Sequence, residues 1–307
     1  MKVAIAGAGA MGARFATMFF NASVDITMID KWEEHVSQIN DAGLDVENSK
    51  EQHASYKIPI YLPENVKEHF DLIIVFTKAM QMKGMLQEIQ SVIDGNTYIL
   101  TLSNGLGNIE TIEQFVSRDH VIAGVTLWSS ELLGPGKIKV TGSGSISLQA
   151  ADKNVDIEKL EQIVALLNQA HLNAELTDDV LATIWRKAAF NCVINPLSSI
   201  LDCNVEQFGG ISTNFDMAEL ILNEIDKVAR AEEIKFDSAE IKDILKAQFD
   251  PSASGEHYPS MYQDLKKGRK TEVDFLNGYI AKLGVKHEIM TPINRMITDM
   301  IHAKEEL

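Results

Sequence analysis

Cysteine is scarce in this chain, with only Cys192 and Cys203 among 307 residues. Neither belongs to a paired metal motif and the eight histidines show no ligand spacing, so neither a disulfide framework nor a structural zinc site is expected, and no metal is assigned. Cys192 reads as core packing. Cations are also in short supply: 28 Lys and Arg face 44 Asp and Glu, for a formal charge of −16. Such a surface repels nucleic acid and anionic membranes, and an anionic substrate needs a local cation. No apolar run approaches the roughly 18 to 20 residues that a membrane span requires. Lys2 followed by VAIAGAGAMG resembles a short signal peptide, but Arg14 and the periodic glycines speak against one. A reduced, cytoplasmic setting is therefore expected. Internal repeats and low-complexity segments are absent.

What remains is ordinary for a globular protein, with 45% apolar and 23% charged residues and enough length for two domains. KVAIA at 2–6 reads as a buried strand and Met11 to Phe20 as a helix; VDITMID ending at Asp30, DLIIVFT at 71–77, TYILTLS at 97–103 and HVIAGVTLW at 120–128 read as further strands. Alternation with helical segments at 80–93 and 108–117 predicts a parallel sheet covered on both faces. After the Gly134-Pro135-Gly136 turn, KIKV and SISLQ are expected as antiparallel strands at the sheet's far edge. Segments 156–170, 178–200, 212–233, 238–249 and 271–302 favour helix, and PSASGEHYPS at 251–260 a loop. The fold class is α/β, a doubly wound N-terminal domain over 1–177 followed by an all-α domain over 178–307.

Gly7-Ala8-Gly9-Ala10-Met11-Gly12 is a G-x-G-x-x-G between strand and helix, and an acidic residue, Asp30, closes the next strand 18 positions after Gly12. The first glycine allows a tight turn, the second lets backbone N–H groups approach a pyrophosphate, and the third lets the helix pack on the strand. Asp30 can accept from a ribose 2′-hydroxyl and repels a 2′-phosphate, which favours NAD over NADP. Lys31 beside it weakens that preference. Lys78, just past the end of an inferred strand, is either a cofactor contact or a solvated surface lysine.

In WRKAAFNCVINPLSSI, residues 185–200, the polar residues Lys187, Asn191 and Asn195 recur at steps of four in a largely apolar helix. The drift per step is only about 40°, so the three form one stripe. An unpartnered buried amide costs on the order of 1 to 3 kcal/mol and an ammonium more, so the stripe faces partners, a ligand or solvent.

Together with SMYQDLKKGRKTEVDFLNG at 260–278, these segments give the whole chain a resemblance to the ketopantoate reductase family. The resemblance implies a Rossmann-type N-terminal domain, a helical substrate and dimerisation domain, and a substrate cleft between them. It implies Lys187 as the general acid that protonates the carbonyl oxygen as hydride arrives, and Glu272 as the active-site carboxylate. Asn191, Asn195 and Ser260 match substrate-binding positions, Asn104 the asparagine at the nicotinamide end, and Lys78 a cofactor lysine. Two departures bear on specificity. Asp30 stands where relatives acting on ketopantoate carry a basic residue for the 2′-phosphate, and Pro259 and His257 replace a serine and an asparagine beside the substrate serine, so that His257 is either a candidate substrate contact or a solvated loop residue. The variant resembles NAD-dependent D-2-hydroxyacid dehydrogenases that take C3-branched 2-oxo acids. The expected partner is a small anionic 2-oxo acid and the expected assembly a homodimer. Ketopantoate reduction is the alternative, and a non-catalytic dinucleotide sensor the alternative of another class; a sensor has no need of Lys187 and Glu272.

Overall fold

The computed structural model describes residues 1–249 and 256–307. They form two compact units: Met1–Ser103 with Asn108–Leu181, and Asn104–Gly107 with Ala182–Leu307.

The first unit is built on an eight-stranded sheet of β1 (Val3–Ala6), β2 (Ile26–Ile29), β5 (Ile60–Tyr61), β6 (Leu72–Val75), β7 (Tyr98–Thr101), β8 (Val121–Thr126), β11 (Ile146–Ala150) and β12 (Ala174–Leu176). Its order is β12-β11-β8-β7-β6-β1-β2-β5, parallel except where β11 runs against β8. Strands buried on both faces carry apolar side chains at every position. In β1, Val3 and Ile5 enter one core with Phe15, Phe19 and Met28, while Ala4 and Ala6 enter another with Ile73, Val75 and Met82. The covering helices are α1 (Ala10–Asn21), α2 (Glu33–Ala42), α3 (Ala79–Glu88), the short α4 (Asn108–Ile112) and α5 (Ile157–Gln169).

A second sheet, β4-β3-β10-β9, corrects the expectation for KIKV: β3 (Leu44–Glu47), β4 (His53–Tyr56), β9 (Ser129–Gly134) and β10 (Lys137–Thr141) form it, and only SISLQ joins the main sheet. The reason lies in the alternation of β10. Ile138 is fully buried, whereas Lys137 and Lys139 lie opposite Asp45 and Glu47 of β3, with Lys139 Nζ 2.7 Å from Glu47. A strand with one charged face does not suit a sheet covered on both sides. Arg14, buried on α1, ties this sheet down by donating to the carbonyls of Ser129, Thr141 and Gly142.

In the second unit every regular element among the described residues is helical: α6 (Val180–Leu201, whose first turn straddles the division), α7 (Val205–Gly209), α8 (Asn214–Ala231), α9 (Ser238–Gln248), α10 (Ser260–Lys266), α11 (Asn277–Lys286) and α12 (Pro292–Glu306). The single helix expected over 271–302 is a 3-10 turn at Val273–Phe275 followed by α11 and α12. Glu288, at φ 58°, and Pro292 at the start of α12 end one helix and begin the next. Of the loop expected at 251–260, residues 251–255 lie outside the described residues, and Ser260 already belongs to α10. The core of this unit gathers Phe208, Leu222, Ile225, Val228, Ile280 and Ile301 around α6, which is apolar on nearly all sides.

Candidate functional site

In the first unit the glycine loop runs from β1 into α1. Gly7 has φ +99°, and a Cβ there would lie 2.7 Å from the Thr77 nitrogen; a Cβ on Gly12 would lie 2.0 Å from the Gly7 oxygen. Beside Gly9 nothing stands within 4 Å. The N-terminus of α1 carries no acidic residue in its first turn, and Gly9 supplies no side-chain cap. Its early N–H groups, at Ala10 and Met11, therefore remain suited to an anion.

Asp30 follows β2, and its carboxylate is held at both oxygens, accepting from Ala8 N–H at 2.6 Å and from Trp32 N–H at 2.9 Å. Each oxygen retains a lone pair for a hydroxyl donor. Lys31 turns away to Glu88, at 2.7 Å. Lys78 is exposed where β6 passes into α3. These residues fit a dinucleotide, whose pyrophosphate the loop would hold and whose ribose Asp30 would meet. Sequence reasoning missed His35, a buried residue stacked on Trp32. Its Nδ1 accepts from Gly136 N–H at 3.0 Å, so the proton sits on Nε2, which donates to the Ala8 carbonyl at 2.9 Å. Burial lowers its pKa and the Asp30 charge opposes that shift. No motif marks this histidine; only the fold brings position 136 to position 35.

In the second unit, Asn104, Asn191, Asn195, Ser260 and Glu272 line one pocket. Asn104 arrives there because Leu106 N–H donates to the Phe275 carbonyl at 2.8 Å, and the chain comes so close that a Cβ on Gly105, at φ +90°, would lie 2.9 Å from Phe275. Along α6 the stripe runs from exposed Lys187 through half-buried Asn191 to Asn195, 7% exposed. Solvent reaches Lys187, yet the protein packed around it lowers its pKa below the ordinary lysine value, and the Glu272 carboxylate pulls the other way. The two charges therefore share one electrostatic neighbourhood, although Lys187 stands beside the pocket lining and not in it. His257 does not line this pocket; it is exposed, and its carbonyl accepts from Val205 N–H at 3.1 Å. Asp264, unanticipated from sequence, does line it and is held by Arg269 Nε at 2.8 Å. Its signal was the spacing from Ser260: four residues, one turn of α10.

No group of three or more His, Cys, Asp or Glu among the described residues is arranged to hold a metal, and no helix among them is long and apolar enough to cross a membrane. An open α/β sheet with a dinucleotide loop, joined in one chain to a helical unit whose pocket carries amides, two carboxylates and a nearby lysine, marks a nicotinamide-dependent oxidoreductase. Comparison with known proteins narrows the class. The model of the family "Ketopantoate reductase PanE/ApbA" matches residues 3–153 and that of its C-terminal part residues 179–305. The 2-dehydropantoate 2-reductase of Lactococcus lactis subsp. lactis is 41% identical over 100% of this chain and 99% of its own length, and that of Streptococcus pyogenes serotype M1 39% identical over 99% and 98%. A solved structure of D-mandelate dehydrogenase with NADH and anilino(oxo)acetate superposes with a TM-score of 0.90 at 42% identity, covering 100% of this chain and 99% of that one. The chain belongs to the ketopantoate reductase family, and it is an enzyme of the NAD(P)-dependent oxidoreductase type.

Proposed function

We propose that this enzyme reduces C3-branched 2-oxo acids to D-2-hydroxy acids with NADH, with Lys187 as proton donor. The observation that carries the choice of cofactor is Asp30, whose carboxylate is fixed at the glycine loop by two backbone N–H groups while the neighbouring cation is engaged elsewhere. The likeness to a D-mandelate dehydrogenase that binds NADH supports the same reading. When bound, the dinucleotide supplies hydride. The chain supplies the rest: Asn191, Asn195 and Ser260 hold the acid, Asn104 meets it and the nicotinamide end, and Lys187 gives its proton to the carbonyl oxygen. Glu272 orients Lys187 and opposes the lowering of its pKa by desolvation, favouring the protonated form. Lys78 belongs to the cofactor side of this assignment. His257, outside the pocket lining, is left as a contributor to the loop before Ser260.

The names of the curated relatives favour a second reading, reduction of 2-dehydropantoate. Steady-state kinetics with ketopantoate, 2-oxoisovalerate and benzoylformate, each with NADH and NADPH, separate the two. NADH is expected to give the higher kcat/KM, and equal or reversed preference refutes the cofactor assignment. Asp30→Ala should narrow that preference by about 1 to 3 kcal/mol, because the hydroxyl acceptor and the repulsion of a 2′-phosphate go together. Taking the ratio of the two cofactors cancels any general loosening of the loop. An unchanged ratio means that Asp30 does not face the ribose. A cytoplasmic homodimer completes the proposal, and sedimentation measures the self-association.

A further inference from the structure

Pro196 lies inside α6 between the substrate-side amides and the helix end, and it has no N–H to give the Cys192 carbonyl four residues earlier. The proline ring also crowds that carbonyl and pushes it off the helix axis. In a buried helix water does not reach the orphaned oxygen, so another donor must. It is Asn277, whose Nδ2 lies 3.0 Å from the Cys192 oxygen and 2.9 Å from Asn294 Oδ1. Asn294 Nδ2 in turn donates to Glu224 Oε2 at 2.8 Å, and the Glu224 carboxylate accepts from the backbone N–H groups of Ile293 and Asn294, both at 2.9 Å.

The direction of every bond in this chain is determined. Glu224 acts as acceptor toward two backbone donors, so Asn294 must turn its nitrogen to Glu224 and its oxygen to Asn277. Asn277 must then present its nitrogen to both Asn294 and Cys192. Asn277 and Asn294 are fully buried, and Asn277 Oδ1 has no partner. A buried acceptor without a partner calls for an explanation, and here the nitrogen of the same amide makes two bonds. Cys192 sits between Asn191 and Asn195, and Asn277 follows Leu276, which lines the same pocket as Glu272. One amide therefore pins the chain that carries Glu272 to the point at which α6 loses its own bond.

We propose that Asn277 is a positioning residue for the oxo acid: it replaces the hydrogen bond that Pro196 deletes, and the direction in which it captures the Cys192 carbonyl sets where Asn191 and Asn195 point. The proposal rests on the assignment of those two amides to the substrate. The test compares Asn277→Ala, Pro196→Ala and the double variant, with Asn191→Ala and Asn195→Ala as references, measuring the KM for 2-oxoisovalerate, the KM for NADH and the melting temperature. Asn277→Ala is expected to raise the oxo acid KM about tenfold, equivalent to 1.4 kcal/mol, with the NADH KM within about twofold. In the double variant the restored N–H of residue 196 satisfies Cys192, so the melting temperature recovers while the oxo acid KM stays high, since a regular helix carries the amides elsewhere. The double variant also supplies a folded protein if the single one is unstable. An oxo acid KM that is unchanged in Asn277→Ala, or that returns to the wild-type value together with the melting temperature, overturns the proposal. If Asn191→Ala and Asn195→Ala themselves leave the oxo acid KM unchanged, the fault lies in their assignment to substrate.

Discussion

Lys187→Ala should lower kcat by about 10² to 10⁴, the usual contribution of a positioned proton donor where hydride addition places negative charge on oxygen. NADH affinity and melting temperature should change little, because the side chain is exposed on α6 and the core of that helix is made by its neighbours. Lys187→Arg should not restore the rate. A guanidinium keeps the charge, but it is a far weaker acid and a broader group. If arginine retains most of the activity, the residue anchors the carboxylate and the proton comes from elsewhere. The pH profile gives an independent reading. A general acid works only while protonated, so kcat/KM falls as pH rises through the pKa of Lys187, which burial has lowered. Glu272 works against that shift. Glu272→Gln should therefore move the alkaline limb to lower pH, and a limb that stays in place detaches Lys187 from it.

The glycine loop separates binding from folding. A methyl group on Gly12 would lie 2.0 Å from a backbone oxygen and 2.9 Å from Ile5 Cγ2, and neither belongs to the end of a flexible side chain. Gly12→Ala should cost about 3 kcal/mol, the upper part of the usual range for overpacking, and lower the melting temperature by roughly 6 to 12 °C. Gly9 offers the contrast. It has φ −61° and nothing within 4 Å of a Cβ, so alanine fits the backbone and the fold. Gly9→Ala should leave the melting temperature of the unliganded protein unchanged and weaken NADH at least about tenfold, since its methyl occupies space reserved for the pyrophosphate. Calorimetric titration with NADH and thermal denaturation without it measure the two effects. Unchanged affinity in Gly9→Ala means that the dinucleotide crosses the loop elsewhere, and unchanged stability in Gly12→Ala means that the loop yields.

These residues differ in how far they could be read before the chain was folded. The glycine loop and Asp30 were legible because their meaning is local: one tight turn, one helix start and one strand end follow from positions within two dozen residues of each other. The stripe on α6 was legible because helical period alone puts Lys187, Asn191 and Asn195 on one face, and its polarity in an apolar helix is costly enough to demand a reason. Ser260 and Glu272 entered through family resemblance, and His257 entered the same way, although its side chain lies outside the pocket lining.

Other features needed the tertiary structure because they join distant parts of the chain. KIKV carries the alternation of a half-buried strand, but that pattern does not say which strand it meets, and its partner β3 lies some ninety residues earlier at Asp45 and Glu47. Asn104 belongs by sequence to the first unit and by its contacts to the second, a consequence of the Leu106 bond to Phe275. The donor for Cys192 stands 85 residues away. Sequence by itself determined most strands of the main sheet and the two kinds of unit, through periods of two and 3.6 residues and through glycine geometry, but not β3, β4 or the break within 271–302. Which strand pairs with which, and which amide completes a helix that proline has opened, was decided only in the folded chain, because burial forces each orphaned polar group onto whatever partner packing brings within reach.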